Sequence, residues 1–259
     1  VLGRPIAHSL SPVLHGAAYR ALGLTWTFDA IDVGVAELAP LLDSCGPQWA
    51  GFACTMPLKR AVLDVASSVS PRAAAVGAGN TLLHRADGGW TADNTDVAGI
   101  VAALREAGVG APATVSVLGA GGTAQAAVVA LAELGVRRCT VQVRDVARTA
   151  QVVAAAGRAG VEIDLAPLGD SRADLVISTL PPGAADPIAD RVRAGALLDA
   201  VYTPWPTRLA AVALESRATV VSGALMLLHQ AVAQVELMTG QPGPVEAMRA
   251  ALRERVPAL

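Results

Sequence analysis

The stretch Gly119-Ala120-Gly121-Gly122-Thr123-Ala124 constrains what this chain can fold into more than any other feature. A short apolar run, Val115 to Leu118, precedes it, and an alanine-rich stretch, Thr123 to Leu134, follows it and ends at Gly135. That order predicts strand, tight loop and helix, the arrangement in which a dinucleotide's pyrophosphate is held. Glycines let the backbone come close to the phosphates, and the following helix offers free N–H groups and the favourable end of its dipole. The match to G-x-G-x-x-G is incomplete, because Ala124 stands at the third glycine.

Further strand-like runs follow at Cys139 to Val143, Leu175 to Thr179, Leu197 to Val201 and Thr219 to Val221, separated by helical or loop stretches. Such alternation predicts an α/β fold with a parallel sheet and helices on both faces. The second strand ends at Val143-Arg144-Asp145, where the adenine ribose of a bound dinucleotide would lie. An acidic side chain there holds the 2′-hydroxyl of NAD, whereas arginine pairs with the 2′-phosphate of NADP. Arg144 and Arg148 favour NADP; Asp145 leaves room for NAD.

The first hundred residues alternate as well. Trp26 to Val33 and Gly51 to Thr55 read as strands, and Val35 to Cys45 and Pro57 to Ala66 as helices. Ser11 and Pro12, ahead of His15 to Leu22, read as the cap and first turn of another helix. Leu225 to Met238 is a long helical stretch, and a turn at Gln241 to Pro244 leads into a last helix.

Hydrophobic residues make up 53% of the 259 and charged residues 16%, which excludes a disordered chain. A net charge of -2 argues against a nucleic-acid partner. The uncharged run from Ala107 to Ala132 is long enough to span a membrane, but its five glycines and one proline fit strand, loop and helix better. Cys45, Cys54 and Cys139 form neither a disulfide framework nor a zinc pair, which fits a reducing cytoplasm. His8, His15, His84 and His229 lack metal-ligand spacing, so no metal is expected. The sequence shows no secretory signal and opens at Val1-Leu2-Gly3 without an initiator methionine, as if a few residues precede it.

Of the 20 lysines and arginines, only Lys59 is lysine. Arginine and lysine serve equally as surface cations, but lysine alone can give up its proton when its surroundings disfavour the charge. Lys59 falls in the first turn of the helix expected from Pro57, where the dipole disfavours a cation. That placement is poor for stability and useful for an amine that exchanges a proton. Other polar clusters are Ser9 with Ser11, flanked by His8 and His15; Thr55 to Lys59; Gly79-Asn80-Thr81; and Asp93-Asn94-Thr95-Asp96. The residues alone do not choose between Asp93 and Asp96 as a partner for the lysine.

Eight stretches, GRPIAHSLSPVLH, GFACTMPLK, GAGNT, ADNTD, GAGGTA, STLPPG, DAVYTPWPTRL and GALMLLHQA, together resemble the shikimate dehydrogenase family, in family order and over essentially the whole chain. The resemblance implies an α/β substrate-binding domain from residues 1–97 and 225–259, and a Rossmann-like NADP-binding domain from 98–224, with the active site in the cleft where they meet. It implies reversible, NADPH-dependent reduction of 3-dehydroshikimate to shikimate by a cytoplasmic enzyme, a monomer or a homodimer, with a small-molecule substrate and no nucleic-acid or membrane partner. Ser9 and Ser11 would hold the substrate carboxylate with help from Tyr202. Thr55, Lys59, Asn80, Asp96 and Gln230 would line the ring hydroxyls and the reacting carbonyl, with Lys59 and Asp96 as the catalytic pair. Gly119, Ala120, Gly121, Gly122, Thr123 and Ala124 would carry the pyrophosphate, Thr179 would lie near the nicotinamide, and Arg144 and Arg148 match the family's 2′-phosphate positions.

Three departures stand out: Ala53 and Gly16 replace common asparagines, and Val143 replaces the asparagine that usually precedes the arginine. Val143 and Asp145 keep open a paralogue that acts on quinate or an aminoshikimate, with NAD. A non-catalytic sensor of NADP or a hydroxy-acid is the reading from a different class, and the presence of both Lys59 and Asp96 argues against it.

Overall fold

In chain order the elements are β1 (Leu2–Gly3), α1 (Ser11–Ala21), β2 (Ile31–Asp32), α2 (Val35–Asp43), β3 (Gly51–Ala53), α3 (Ala61–Val65), β4 (Ser68–Val69), α4 (Pro71–Val76), β5 (Thr81–His84) and β6 (Trp90–Asp93). They continue with α5 (Asp96–Glu106), β7 (Val115–Leu118), α6 (Gly122–Glu133), β8 (Arg138–Val143), α7 (Ala150–Ala159), β9 (Glu162–Pro167), β10 (Ser171–Ser178), β11 (Val192–Asp199), α8 (Arg208–Glu215), β12 (Thr219–Ser222), α9 (Gly223–Thr239) and α10 (Val245–Arg253). This computed structural model describes residues 1–256. They divide into one unit of Val1–Thr95 with Leu228–Arg255, and a second of Asp96–Leu227. Residues 257–259, the end of the C-terminal span expected in the substrate domain, lie outside the described residues.

The second unit is built on a six-stranded sheet in the order β12-β11-β10-β7-β8-β9. Every pairing in it is parallel. β7 is buried at all four residues, as a strand covered on both faces must be, and so reads as a continuous apolar run. α6 is buried from Ala124 to Leu131, and its run of alanines lets the helix lie close to its neighbours. Leu118, Val176, Ile188, Leu197 and Leu209 form one core of this unit.

The first unit holds a mixed sheet, β3-β5-β6-β4, beside the parallel pair β1-β2. β5 pairs antiparallel with both β3 and β6, while β4 and β6 are parallel. A bridge from Leu2 to Cys54 links the two pieces. Leu2, Leu38, Phe52, Leu58, Leu82 and Trp90 fill the core, with Phe52 and Trp90 ring centroids 5.4 Å apart. α1 packs against α10.

Three local expectations are corrected here. The helix expected over Pro57 to Ala66 is shorter, running Ala61–Val65. Residues 56–60 form turns instead, because the Lys59 carbonyl accepts from the distant Gly79 N–H at 2.7 Å and so leaves the helical ladder. Lys59 therefore lies before α3, outside its first turn. Of the strand expected over Trp26 to Val33, only Ile31–Asp32 is paired, in register with Leu2 and Gly3. Ser11 is the first residue of α1 and not its cap; the cap position is Leu10, and the Ser11 N–H donates to Ser9 Oγ at 3.3 Å. The β5–β6 hairpin was not anticipated, although Asp87-Gly88 between two apolar runs is a turn signal.

Candidate active site

Most of the expected substrate residues belong to the first unit, where backbone hydrogen bonds draw them together. The Thr55 N–H donates to the Leu2 carbonyl at 2.9 Å, and the Cys54 N–H to the Asn80 carbonyl at 2.7 Å. The Asn80 N–H donates in turn to the Asp93 carbonyl at 3.0 Å. Gly79 is needed for this approach: a Cβ there would lie 2.7 Å from Val62 Cγ2 and 3.2 Å from the Asp93 carbonyl. Thr55, the half-buried Lys59 and the buried Asn80 thus sit on adjoining backbone segments. Asn80 reaches Gln230 Oε1 on α9 with its Nδ2 at 3.5 Å, and Thr95 Oγ1 at 3.0 Å. Ser9 is half-buried and Ser11 buried where the loop after β1 enters α1.

The two aspartates of the ADNTD stretch are used differently. Asp93 Oδ1 accepts from the Ser70 hydroxyl and the Asn94 N–H, both at 2.6 Å, so its carboxylate holds the turn together. Asp96 is the first residue of α5 and is 5% exposed, directly after Thr95, whose N–H donates to Asn80 Oδ1 at 2.8 Å.

In the second unit the loop after β7 is shaped for close approach. Gly119 has φ +110°, which disfavours any side chain, and a Cβ on it would lie 2.5 Å from Thr179 Oγ1. Thr179 closes on the same turn, donating from both N–H and hydroxyl to the Leu118 carbonyl. Gly121 is extended at the cap of α6, Ala120, Gly122 and Thr123 are partly exposed around it, and Ala124 is fully buried in the helix. An open helix N-terminus beyond a glycine turn fits a pyrophosphate. Arg144 and Arg148 flank the turn after β8; both are exposed, and neither forms an ion pair among the described residues. Asp145 Oδ1 accepts the Ala147 N–H at 2.9 Å, capping the short helical turn Val146–Arg148.

Tyr202 is half-buried after β11, and burial pushes its phenol up. Its loop hangs on Asp199, which sequence reasoning missed. The Asp199 carboxylate, 2% exposed, accepts from the Val201 N–H at 3.2 Å and the Thr207 hydroxyl at 2.7 Å. Burial raises its pKa, opposed by those donors and by Ser178. A charged residue ending the apolar run Ala196 to Leu198 was the available signal. Gln234, also missed, stands one turn after Gln230 on α9, and the signal was that i, i+4 spacing of two amides on a largely apolar helix. Among the described residues no three His, Cys, Asp or Glu side chains are arranged to hold a metal ion. No described helix is long and apolar enough to cross a membrane.

Residues 1–82 match the family described as shikimate dehydrogenase substrate binding domain, and residues 223–253 the shikimate 5'-dehydrogenase C-terminal domain. The NADP(+) shikimate dehydrogenase of Halobacterium salinarum is 38% identical, over 99% of this chain and 98% of its own length. The Mycobacterium tuberculosis shikimate dehydrogenase structure is 45% identical with a TM-score of 0.90, covering 98% of this chain and 97% of that one. The Thermus thermophilus shikimate 5-dehydrogenase, solved with NADP(H) and shikimate, is 33% identical with a TM-score of 0.88, covering 98% of each.

Proposed function

The chain belongs to the shikimate dehydrogenase family, and from that premise we propose that it catalyses the reversible, NADPH-dependent reduction of 3-dehydroshikimate to shikimate in the cytoplasm. One observation carries the reading. The Gly79 N–H on the Lys59 carbonyl and the Thr95 N–H on the Asn80 side-chain oxygen tie together the segments that bear the lysine, the asparagine and, one residue on, Asp96. The unit of Val1–Thr95 with Leu228–Arg255 binds the substrate, and the unit of Asp96–Leu227 binds the nucleotide.

The reduced nicotinamide, when bound, supplies the hydride. Lys59 supplies the proton that the ketone oxygen takes up as it becomes a hydroxyl, so that C=O, hydride and proton balance as CH–OH. Asp96 orients the ammonium and offsets its charge. Asp93 is spent on the Ser70 and Asn94 turn, which supports Asp96 for that role. Ser9 and Ser11 hold the carboxylate with Tyr202, while Thr55, Asn80 and Gln230 read the ring hydroxyls. Gly119 to Ala124 hold the pyrophosphate and Thr179 closes the loop beside the nicotinamide. Arg144 and Arg148 pair with the 2′-phosphate; Asp145, occupied as a helix cap, is less suited to a ribose hydroxyl, which supports NADP over NAD.

The deciding experiment is a panel of shikimate, quinate and an aminoshikimate against NADP and NAD, followed by absorbance of the reduced nicotinamide. The expected result is the highest kcat/KM for shikimate with NADP; quinate with NAD as the best pair would overturn the reading. Within the panel, Ser9→Ala and Ser11→Ala should each raise the KM for shikimate about tenfold, roughly one lost hydrogen bond to a charge, and leave the KM for NADP unchanged. A selective loss of NADP binding would place the carboxylate elsewhere. Arg144→Ala should raise the KM for NADP about tenfold and leave that for NAD alone, reflecting one lost phosphate contact; equal effects on both would remove Arg144 from the 2′-phosphate.

A further inference from the structure

β11 ends on a buried charged side chain, Asp199, in register with the last residues of β10 and β12, Ser178 and Ser222. Its carboxylate is met by donors. Oδ1 accepts from the Val201 N–H at 3.2 Å and Oδ2 from the Thr207 hydroxyl at 2.7 Å, with the Ser178 hydroxyl as a third donor. The Val201 N–H can only donate. The Thr207 oxygen accepts from the Ala210 N–H at 3.0 Å as the cap of α8, and its own proton goes to Asp199. Val201 and Thr207 are the two ends of the loop that carries Tyr202. One carboxylate thus fastens both ends, one oxygen to each.

Between those ends little else holds the chain. Residues 202–206 make no backbone–backbone hydrogen bond among the described residues, and Pro204 and Pro206 have no N–H to offer. Trp205 packs against the core of Leu118, Val176 and Leu197. At the near end the Gly223 N–H donates to the Val201 carbonyl at 3.3 Å, and a Cβ on Gly223 would collide with the Ala200 carbonyl, so the start of α9 is pressed against the base of the loop. That bond would survive a change at position 199, but it holds one end alone. Tyr202 is half-buried, and burial pushes its phenol up, so the hydroxyl keeps its proton and can donate. Where it points depends on how Val201 and Thr207 are seated, and Asp199 is bonded to both.

We infer that Asp199 is a positioning residue for substrate binding: by fastening both ends of the loop, it sets Tyr202 where the phenol donates to the carboxylate of the substrate. This rests on the assignment of Tyr202 as a carboxylate ligand. A side chain at 199 that cannot accept would leave the Val201 N–H and the Thr207 hydroxyl without their acceptor. The loop would then gain freedom that binding must remove again, and the anion would be held less tightly.

Two measurements test it. The first, independent of turnover, is 19F NMR of the chain grown with 3-fluorotyrosine. Tyr19 and Tyr202 are its only tyrosines, so two signals are expected, and Tyr202→Phe identifies the second. Asp199→Ala should move the Tyr202 resonance and enlarge its shift between H2O and D2O as the ring gains solvent, with Tyr19 unmoved. The second is a double-mutant cycle in steady-state kinetics. Asp199→Ala should raise the KM for shikimate about tenfold and change kcat by less than about threefold, the signature of lost binding without lost chemistry. Asp199→Asn keeps an oxygen for the Val201 N–H, and Thr207→Val frees only the far end, so each should raise the KM about fourfold. Tyr202→Phe alone should raise it about tenfold. In that background each of the three changes should add less than about twofold, because no phenol hydroxyl remains to be misplaced.

An equal rise in KM with and without the Tyr202 hydroxyl would mean that Asp199 supports the unit in general, and would sink the proposal; so would an unmoved Tyr202 resonance. Should Asp199→Ala fail to fold, Asp199→Asn and Thr207→Val carry both measurements. An unchanged KM in Tyr202→Phe would take Tyr202 off the carboxylate and the proposal with it, while the rest of the functional reading stands. If the wild-type chain does not turn over shikimate, that reading fails, and the seating of Tyr202 by Asp199 then stands or falls on the fluorine signal.

Discussion

Replacing Lys59 by arginine is expected to cut kcat for shikimate about a thousandfold, within the range a positioned proton donor contributes, while the KM changes by less than about fivefold. The substitution keeps the charge and most of the length, so the attraction we propose to Asp96 and to a developing alkoxide would survive. What it removes is the ability to release a proton, because a guanidinium stays protonated at any working pH. The fold should tolerate the change. Lys59 is half-buried, and the bond that anchors its segment is made by its backbone carbonyl to Gly79, whatever the side chain. Lys59→Met, which removes charge and proton together, should be no more active than the arginine variant if proton transfer is the larger share. Steady-state kinetics with shikimate and NADP, beside a thermal melt of each variant, decides the matter. An arginine variant within about threefold of the wild-type kcat would show that charge alone suffices.

The features legible in the sequence were those fixed by local backbone chemistry or by composition. Gly119 could be read because its φ of +110° and the closeness of Thr179 admit only glycine, and the strand before it and the helix after it set that requirement within a few residues. Lys59 could be read because it is the only lysine among 20 basic residues. What stayed hidden depends on segments far apart in the chain. The helix starts at Ala61 and not Pro57 because Gly79, 20 positions on, captures the Lys59 carbonyl, and no local propensity encodes that bond. Gln234 looks like an ordinary helical amide until β5 brings Thr81 beside it from 153 residues away. Asp93 and Asp96 are equivalent in composition; the resemblance alone favours Asp96, and the Ser70 hydroxyl found on Asp93 is a long-range contact that no local pattern encodes.

Acid should expose the cost of keeping His15 neutral. Its ring is fully buried, and desolvation lowers its pKa from 6.5 to about 3, against the raising effect of the bond to Gln234. In the unfolded chain the same ring titrates near its ordinary value, so between those two limits the unfolded state binds a proton that the folded state refuses. Stability therefore rises with pH across that window. The full contribution is present above the unfolded pKa and is lost as pH falls towards the folded one. Between about pH 7 and about pH 5 the loss should come to about 2 kcal/mol, close to one proton's worth per unit once the unfolded ring is mostly protonated. His15→Gln cannot take up that proton. In urea unfolding of both chains over this range, the wild-type advantage over His15→Gln should shrink by that amount as the solution is acidified. Parallel pH dependences for the two chains would mean that His15 is protonated as readily in the folded state as out of it, and would remove the basis for a neutral ring donating to Gln234.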